Sequence, residues 1–277
     1  MNASSVIEHR TLAFIGAGNM SRSLISGLIQ SGYPAAAIMA TNPSPEKLEQ
    51  LARDFGIRTS QDNNQAAAWA EVIVLAVKPQ MMADMLSAIP KVALAGKLLI
   101  SIAAGMSVTR LTELSEQARI IRTMPNTPSL LGLGMTGLYA GAEVAQADRN
   151  YAELLMQAVG KTLWVAKEDD INKVTAAAGS APAYFFLFMQ AMAEQAVQFG
   201  FNETEARLLV QQTALGAANM VVANSEVSLG ELRAQVTSKG GTTAQAIAHF
   251  QEQGLEQLVA DAMTAALTRA RELETQL

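Results

Sequence analysis

The sequence predicts an α/β protein of two parts: a doubly wound parallel sheet over residues 1–166, then an all-helical domain over residues 167–277. Three observations carry this. The apolar run Leu12-Ala13-Phe14-Ile15 passes straight into Gly16-Ala17-Gly18-Asn19-Met20, then into a periodic stretch through Leu24, Ile25, Leu28 and Ile29. Short apolar runs alternate with amphipathic segments as far as residue 165, the pattern of βαβ units. Beyond Glu168 the alternation gives way to long helical stretches in which Ala, Met, Leu and Val recur on nearly every turn.

The first strand, Leu12–Ile15, feeds a glycine turn and a helix over residues 21–30. Strand, tight turn and helix N-terminus together make a cradle for a dinucleotide pyrophosphate: the backbone comes close and free N–H groups face the anion. Ser21 stands where the third glycine of G-x-G-x-x-G is usual. A second strand at 38–40 precedes a helix at Pro45–Phe55, in which Pro45 suits the first turn and Glu46 complements the helix dipole. Residues 72–76 are apolar on both alternating faces, as a central strand covered on each side must be. A helix at 80–89 follows, then strands at 98–102 and Ile120–Met124 around a helix at 108–114. Residues 132–140 and 162–165 read as further strands flanking a helix at 146–159, completing a Rossmann-like domain. The second half reads as helices over 171–200, 203–224 and 242–277, broken or kinked at Gly179-Ser180-Ala181-Pro182-Ala183. Their polar positions are too few to solvate each helix, so they must pack on one another and on a partner subunit.

Composition narrows the function. The chain is 50% hydrophobic and 16% charged, an apolar excess that points to subunit contacts as well as core. A net charge of −5 without a basic block argues against nucleic acid, and no apolar run is long enough for a membrane span. Residues 1–10 lack the features of a signal peptide and read as a loose lead-in. The absence of cysteine excludes disulfides, thiolate zinc and a cysteine nucleophile, and suits the cytoplasm. His9 lies in the lead-in and His249 on a helix without a partner at ligand spacing, so no metal site is expected. Asp169-Asp170 reads as a charged helix start, and no G-x-S-x-G elbow offers a hydrolase nucleophile.

Candidate site residues collect in the loops after the strands, where open α/β sheets bind ligands. Ile15, Gly16, Ala17, Gly18, Asn19 and Met20 form the pyrophosphate turn. After the second strand, Asn42-Pro43-Ser44 carries no acid to hold a ribose 2′-hydroxyl, so Asn42 and Ser44 can hydrogen-bond a 2′-phosphate. That favours NADPH, with NADH as the alternative. Pro79 stops the central strand and leaves Lys78 at a turn after Ala76 and Val77. Ser101, Ala103 and Ala104 are small enough for a flat ring to approach the backbone, and Met124-Pro125-Asn126-Thr127-Pro128 makes a stiff turn presenting amide and hydroxyl groups. In the helical half, Ser238-Lys239-Gly240-Gly241-Thr242-Thr243 opens the last helix with converging N–H groups and two threonines able to cap it, an anion site sized for a carboxylate. Taken singly, Lys78 also reads as a solvated loop lysine and residues 240–243 as a plain helix cap.

In chain order, G-A-G-N-M at 16–20, A-V-K-P at 76–79, M-P-N-T-P at 124–128, G-S-A-P-A-Y at 179–184 and G-G-T-T at 240–243 resemble the motifs of the pyrroline-5-carboxylate reductases, over nearly the whole chain. The resemblance implies hydride transfer from NAD(P)H to the cyclic imine 1-pyrroline-5-carboxylate, giving L-proline at the end of proline biosynthesis. An iminium carbon is already electrophilic, so such an enzyme needs alignment more than a strong acid. By similarity, Ser238, Gly240, Gly241 and Thr242 hold the substrate carboxylate and Thr243 hydrogen-bonds the ring nitrogen. Glu226 and Asn126 join the substrate set, Thr243, Lys78 and Glu226 form the catalytic one, and Asn63 faces the cofactor. The helical part then builds a dimer whose sites the neighbouring subunit completes, and dimers assemble into decamers. Lys239 stands where the family usually has proline, and Ala181 where it often has glycine; the first bears on substrate affinity.

Two other classes remain open. A 3-hydroxyacid-type dehydrogenase needs a lysine in the helical domain and finds only Lys173 near its start, without a glycine-rich context. A nucleotide sensor without catalysis would have no use for the intact 240–243 segment.

Overall fold

The computed structural model describes residues 9–276; all but His9 and Arg10 of the expected lead-in lies outside them. Two compact units form. One runs through Ser180 and includes the chain from Ala266 onward; the other is Ala181–Ala265.

The first unit is built on one eight-stranded sheet: β1 (Leu12–Ile15), β2 (Ile38–Thr41), β3 (Arg58–Ser60), β4 (Val72–Leu75), β5 (Leu98–Ser101), β6 (Ile120–Met124), β7 (Gly134–Ala140) and β8 (Gly160–Trp164). Their order is β3-β2-β1-β4-β5-β6-β7-β8, and only the β6–β7 pair is antiparallel. Both faces are covered. Leu12, Phe14, Val72, Val74, Leu98 and Ile100 enter one apolar cluster, while Ala13, Ile15, Ile73, Leu75 and Leu99 enter the other. Each fully buried Leu, Ile or Val contributes about 1.5–3 kcal/mol, which is why these strands read as unbroken apolar runs. From β1 the chain steps to β2 and β3 on one side and to β4, β5 and β6 on the other. The loops after β1 and β4 therefore part at the carboxyl ends and open a crevice.

The helices around this sheet are α1 (Asn19–Gln30), α2 (Pro45–Phe55), α3 (Asn63–Trp69), α4 (Met82–Ser87), α5 (Lys91–Leu94), α6 (Val108–Ser115) and α7 (Gln146–Gln157). α1 starts two residues earlier than expected because Gly18 is its N-cap. The helix expected over 80–89 is a 3-10 turn, Pro79–Met81, followed by the short α4. Neither β3 nor α3 was expected: β3 is a three-residue polar edge strand, and α3 a seven-residue segment capped by Asp62, whose side chain accepts from the Asn64 N–H.

Beyond the sheet, α8 (Asp170–Val174) widens into a π turn at Thr175–Gly179, which runs up to the break expected at residues 179–183, and the helix resumes at Ala181. The second unit holds α9 (Ala181–Gln198), α10 (Glu203–Ala223), α11 (Leu229–Gln235), α12 (Thr242–Glu252) and the first half of α13 (Leu255–Gln276). Capping boxes at Asn202/Glu205 and Ser228/Glu231 start α10 and α11, and α11 was not expected. The single helix expected from 242 to the end is two, because Gly254 takes a φ of +75°. No helix of the described residues is long and apolar enough to cross a membrane.

A buried cation fastens the end of α13 to the sheet. Arg122 on β6 is 1% exposed; its guanidinium donates to Glu168 Oε1 at 3.0 Å, Glu274 Oε1 at 2.9 Å and Asn172 Oδ1 at 3.1 Å.

Candidate functional site

A cavity of about 540 Å³ occupies the crevice. Its floor is the turn after β1. Gly16 has a φ of +109°, and a Cβ there would lie 2.6 Å from the Ala76 carbonyl oxygen, so only glycine lets β1 pass this close to β4. Gly18 is the opposite case: nothing lies within 4 Å of where its Cβ would be, and it N-caps α1 without any side-chain cap. The open space and the uncapped helix start fit a pyrophosphate. Ser21 is 1% exposed and donates its hydroxyl to the Gly16 carbonyl at 2.6 Å, so it pins the turn where a glycine would only make room.

The walls come from three further segments. Thr41, Asn42, Pro43 and Lys47 line the β2 side. The Ala17 N–H donates to Asn42 Oδ1 at 3.4 Å, and Thr41 Oγ1 donates to Asn63 Oδ1 at 2.6 Å. Both amides thus use their oxygens inside the protein and keep their NH2 groups for a ligand. Ala76, Val77 and Lys78 line the β4 side, with Met81, Asp84 and Met85 beyond. Of the expected cofactor residues, Ile15, Gly16, Ala17, Gly18, Asn42, Asn63, Ala76, Val77 and Lys78 line this cavity.

Others stand outside that lining. Asn19 and Met20 form the first turn of α1, and Pro79 opens the 3-10 turn. Ser44 donates its hydroxyl to Glu46 Oε2 at 2.6 Å, which holds the Glu46 carboxyl below its ordinary range. Ser101 is fully buried and Ala103 nearly so, and the Ser101 carbonyl accepts the Thr123 hydroxyl at 2.9 Å; Ala104 is exposed. Asn126 is committed to backbone: its Nδ2 donates to the Ala178 carbonyl at 3.0 Å and its Oδ1 accepts the Met135 N–H at 2.9 Å. It ties the turn after β6 to β7 and to the π turn. Sequence reasoning missed Lys47, Met81, Asp84 and Met85; Lys47 stands in the first turn of α2, after the Asn42 turn.

In the second unit, Gly240 takes a φ of +74°, and Gly241 N-caps α12 while donating its N–H to the Ser238 carbonyl at 3.0 Å. A Cβ at 241 would meet the Ser238 hydroxyl at 2.6 Å. The expected threonine caps are not made: Thr242 and Thr243 are the first residues inside α12, both exposed, so their hydroxyls remain free for a ligand. Lys239 is exposed beside them. Glu226 accepts the Ser225 hydroxyl at 3.4 Å and lines a shallow cleft with Glu231; the 238–243 loop is not part of that cleft.

Residues 168–273 match the family described as pyrroline-5-carboxylate reductase dimerisation, and residues 11–105 match NADP oxidoreductase, coenzyme F420-dependent. A pyrroline-5-carboxylate reductase of Vibrio alginolyticus is 56% identical over 97% of this chain and 99% of its own length. Among solved structures, a pyrroline-5-carboxylate reductase from Coxiella burnetii superposes with a TM-score of 0.91 at 43% identity, covering 96% of this chain and 99% of that one. The Plasmodium falciparum enzyme with NADP bound gives 0.85 at 28% identity, covering 97% and 100%.

Proposed function

The chain belongs to the pyrroline-5-carboxylate reductase family and is an NAD(P)H-dependent enzyme that reduces 1-pyrroline-5-carboxylate to L-proline; we propose that the crevice of its first unit takes NADPH in preference to NADH and that residues 238–243 hold the substrate. The observation that carries the site assignment is the turn itself: a Gly16 that only glycine can fill, and an open, uncapped helix start above Gly18.

When bound, the reduced nicotinamide supplies the hydride. The chain's own residues supply position and charge. The pyrophosphate sits on the N–H groups that Gly18 leaves free, and Asn63 offers its amide NH2 from the β2 side. Lys78 adds positive charge to the crevice wall. In the second unit, the Gly240–Gly241 turn, whose Gly241 N–H bonds the Ser238 carbonyl, presents the uncapped N–H groups of the first turn of α12 to the substrate carboxylate, joined by the hydroxyls of Ser238 and Thr242. Thr243 hydrogen-bonds the ring nitrogen, which becomes an amine once the adjacent carbon accepts the hydride, and Glu226 completes the substrate set. Asn126 holds the turn after β6 against the π turn and does not touch the substrate through its amide, since both ends of that amide already have backbone partners. Alignment of this kind supplies much of the acceleration of an already electrophilic imine.

The protein is a homo-oligomer that associates through its helical part. We place the functional division at residues 166/167, supported by a dimerisation match that starts at residue 168, and propose a cytoplasmic homodimer or larger homo-oligomer, such as a decamer built from dimers, without nucleic-acid or membrane partners. The test is oxidation of NADPH, and separately NADH, by the purified protein with 1-pyrroline-5-carboxylate. Turnover falls by about two orders of magnitude in Thr243→Val and stays in His249→Ala. Equal turnover in both variants refutes the placement of the substrate.

A further inference from the structure

We infer that Lys47 and Asn42 seat the 2′-phosphate of NADPH, and that Lys47 is the residue that selects NADPH over NADH. This rests on the reading of the crevice as the NAD(P)H site. In a sheet of this topology the adenosine ribose lies at the carboxyl end of β2. An acid there holds a 2′-hydroxyl, and a cation nearby accommodates a 2′-phosphate. The residue at that position is Asn42, whose oxygen already accepts the Ala17 N–H, so the amide meets a ligand with its donor end. Lys47, in the first turn of α2, lines the same side of the cavity and has no carboxylate partner among the described residues.

The remaining charges fit. Glu46, the nearest acid along the chain, is bonded to the Ser44 hydroxyl and is not part of the cavity lining. The other charged lining groups, Lys78 and Asp84, both follow β4, and β1 lies between β4 and β2 in the sheet. A dianionic phosphate at the end of β2 therefore meets one ammonium and one amide donor, with no acid on that side. Ser44, expected from sequence to join the set, is replaced in it by Lys47.

Isothermal titration of adenosine 2′,5′-bisphosphate against adenosine 5′-monophosphate isolates this contact from the nicotinamide and from turnover. The wild-type protein binds the bisphosphate at least about tenfold more tightly, a margin that shrinks with added salt. Lys47→Ala removes most of that margin while its affinity for the monophosphate stays within about twofold, and Asn42→Asp reverses the margin by placing an acid against the phosphate. A Lys47→Ala protein that keeps the margin, or that loses both ligands equally, overturns the assignment. Wild-type protein that binds neither nucleotide overturns the crevice reading with it. Wild-type protein that turns over NADPH yet shows no margin between the two nucleotides overturns the selectivity alone.

Discussion

Gly16 and Ser21 show how much of a site can hang on single atoms. At Gly16 a methyl group would both occupy a φ that L residues avoid and meet the Ala76 carbonyl at 2.6 Å. Gly16→Ala should cost about 2–3 kcal/mol and lower the Tm by roughly 5–10 °C, read by differential scanning calorimetry. Ser21→Ala removes only the hydroxyl bond to the Gly16 carbonyl and should cost about 1 kcal/mol. Equal shifts for the two would show that the close approach of β1 to β4 is not what fixes glycine at 16. Gly16 was legible in the sequence because a tight turn and close backbone approach restrict residue choice so strongly. Lys47 was not, because lysines on solvated helix faces outnumber those that meet a ligand, and only the three-dimensional cavity separates the two. Arg122 was equally hidden: its partner Glu274 lies 152 residues away, and no local pattern links them.

At the scale of elements, buried parallel strands announced themselves by apolar runs, whereas β3 and α11 are too short or too polar to give a period. The break at 253–254 was missed because Gln253 and Gly254 are tolerated inside helices, and only the positive φ of Gly254 ends α12. Two contacts within the first unit hold the end of α13, and each makes a prediction. Arg122 holds Glu168 and Glu274 in a buried cluster, so Arg122→Met leaves two carboxylates facing each other without their cation. That should cost about 3–5 kcal/mol by urea denaturation, and Glu274→Gln in the same chain should recover part of it. A loss under 1 kcal/mol would mean that the C-terminal turns are held by apolar packing alone. The outer contact is weaker. Hydrogen bonds from Arg271 hold the Asp169 carboxyl at about 2, below its ordinary 3.8. A depressed folded-state value means that the contribution is complete above pH 4 and disappears as the pH falls towards 2. Both side chains are nearly half-exposed, so it amounts to less than about 1 kcal/mol. Asp169→Asn should flatten the stability profile between pH 4 and pH 2 and leave it unchanged at pH 7 beyond that small offset; parallel profiles for the two proteins would remove the pair from the account.

For the whole molecule, the apolar excess of the composition resolves into a surface. Phe185, Phe186 and Leu187 on α9 and Leu208, Leu209 and Val222 on α10 stand exposed in the isolated chain, with Phe185 at 68% and Val222 at 77%. A single chain in water would not leave so many large apolar side chains uncovered on two long helices, and obligate subunit interfaces are where such faces are buried. Because association stabilises the folded state by mass action, the Tm of the wild-type protein should rise with protein concentration. A charge placed in the face, as in Leu209→Glu, would have to be buried unpaired and should shift sedimentation velocity profiles toward smaller species, with the concentration dependence of the Tm lost as well. Should Leu209→Glu sediment as the wild-type protein does, the oligomer is built on a different face of the helical part, and the exposed residues of α10 must be covered in some other way.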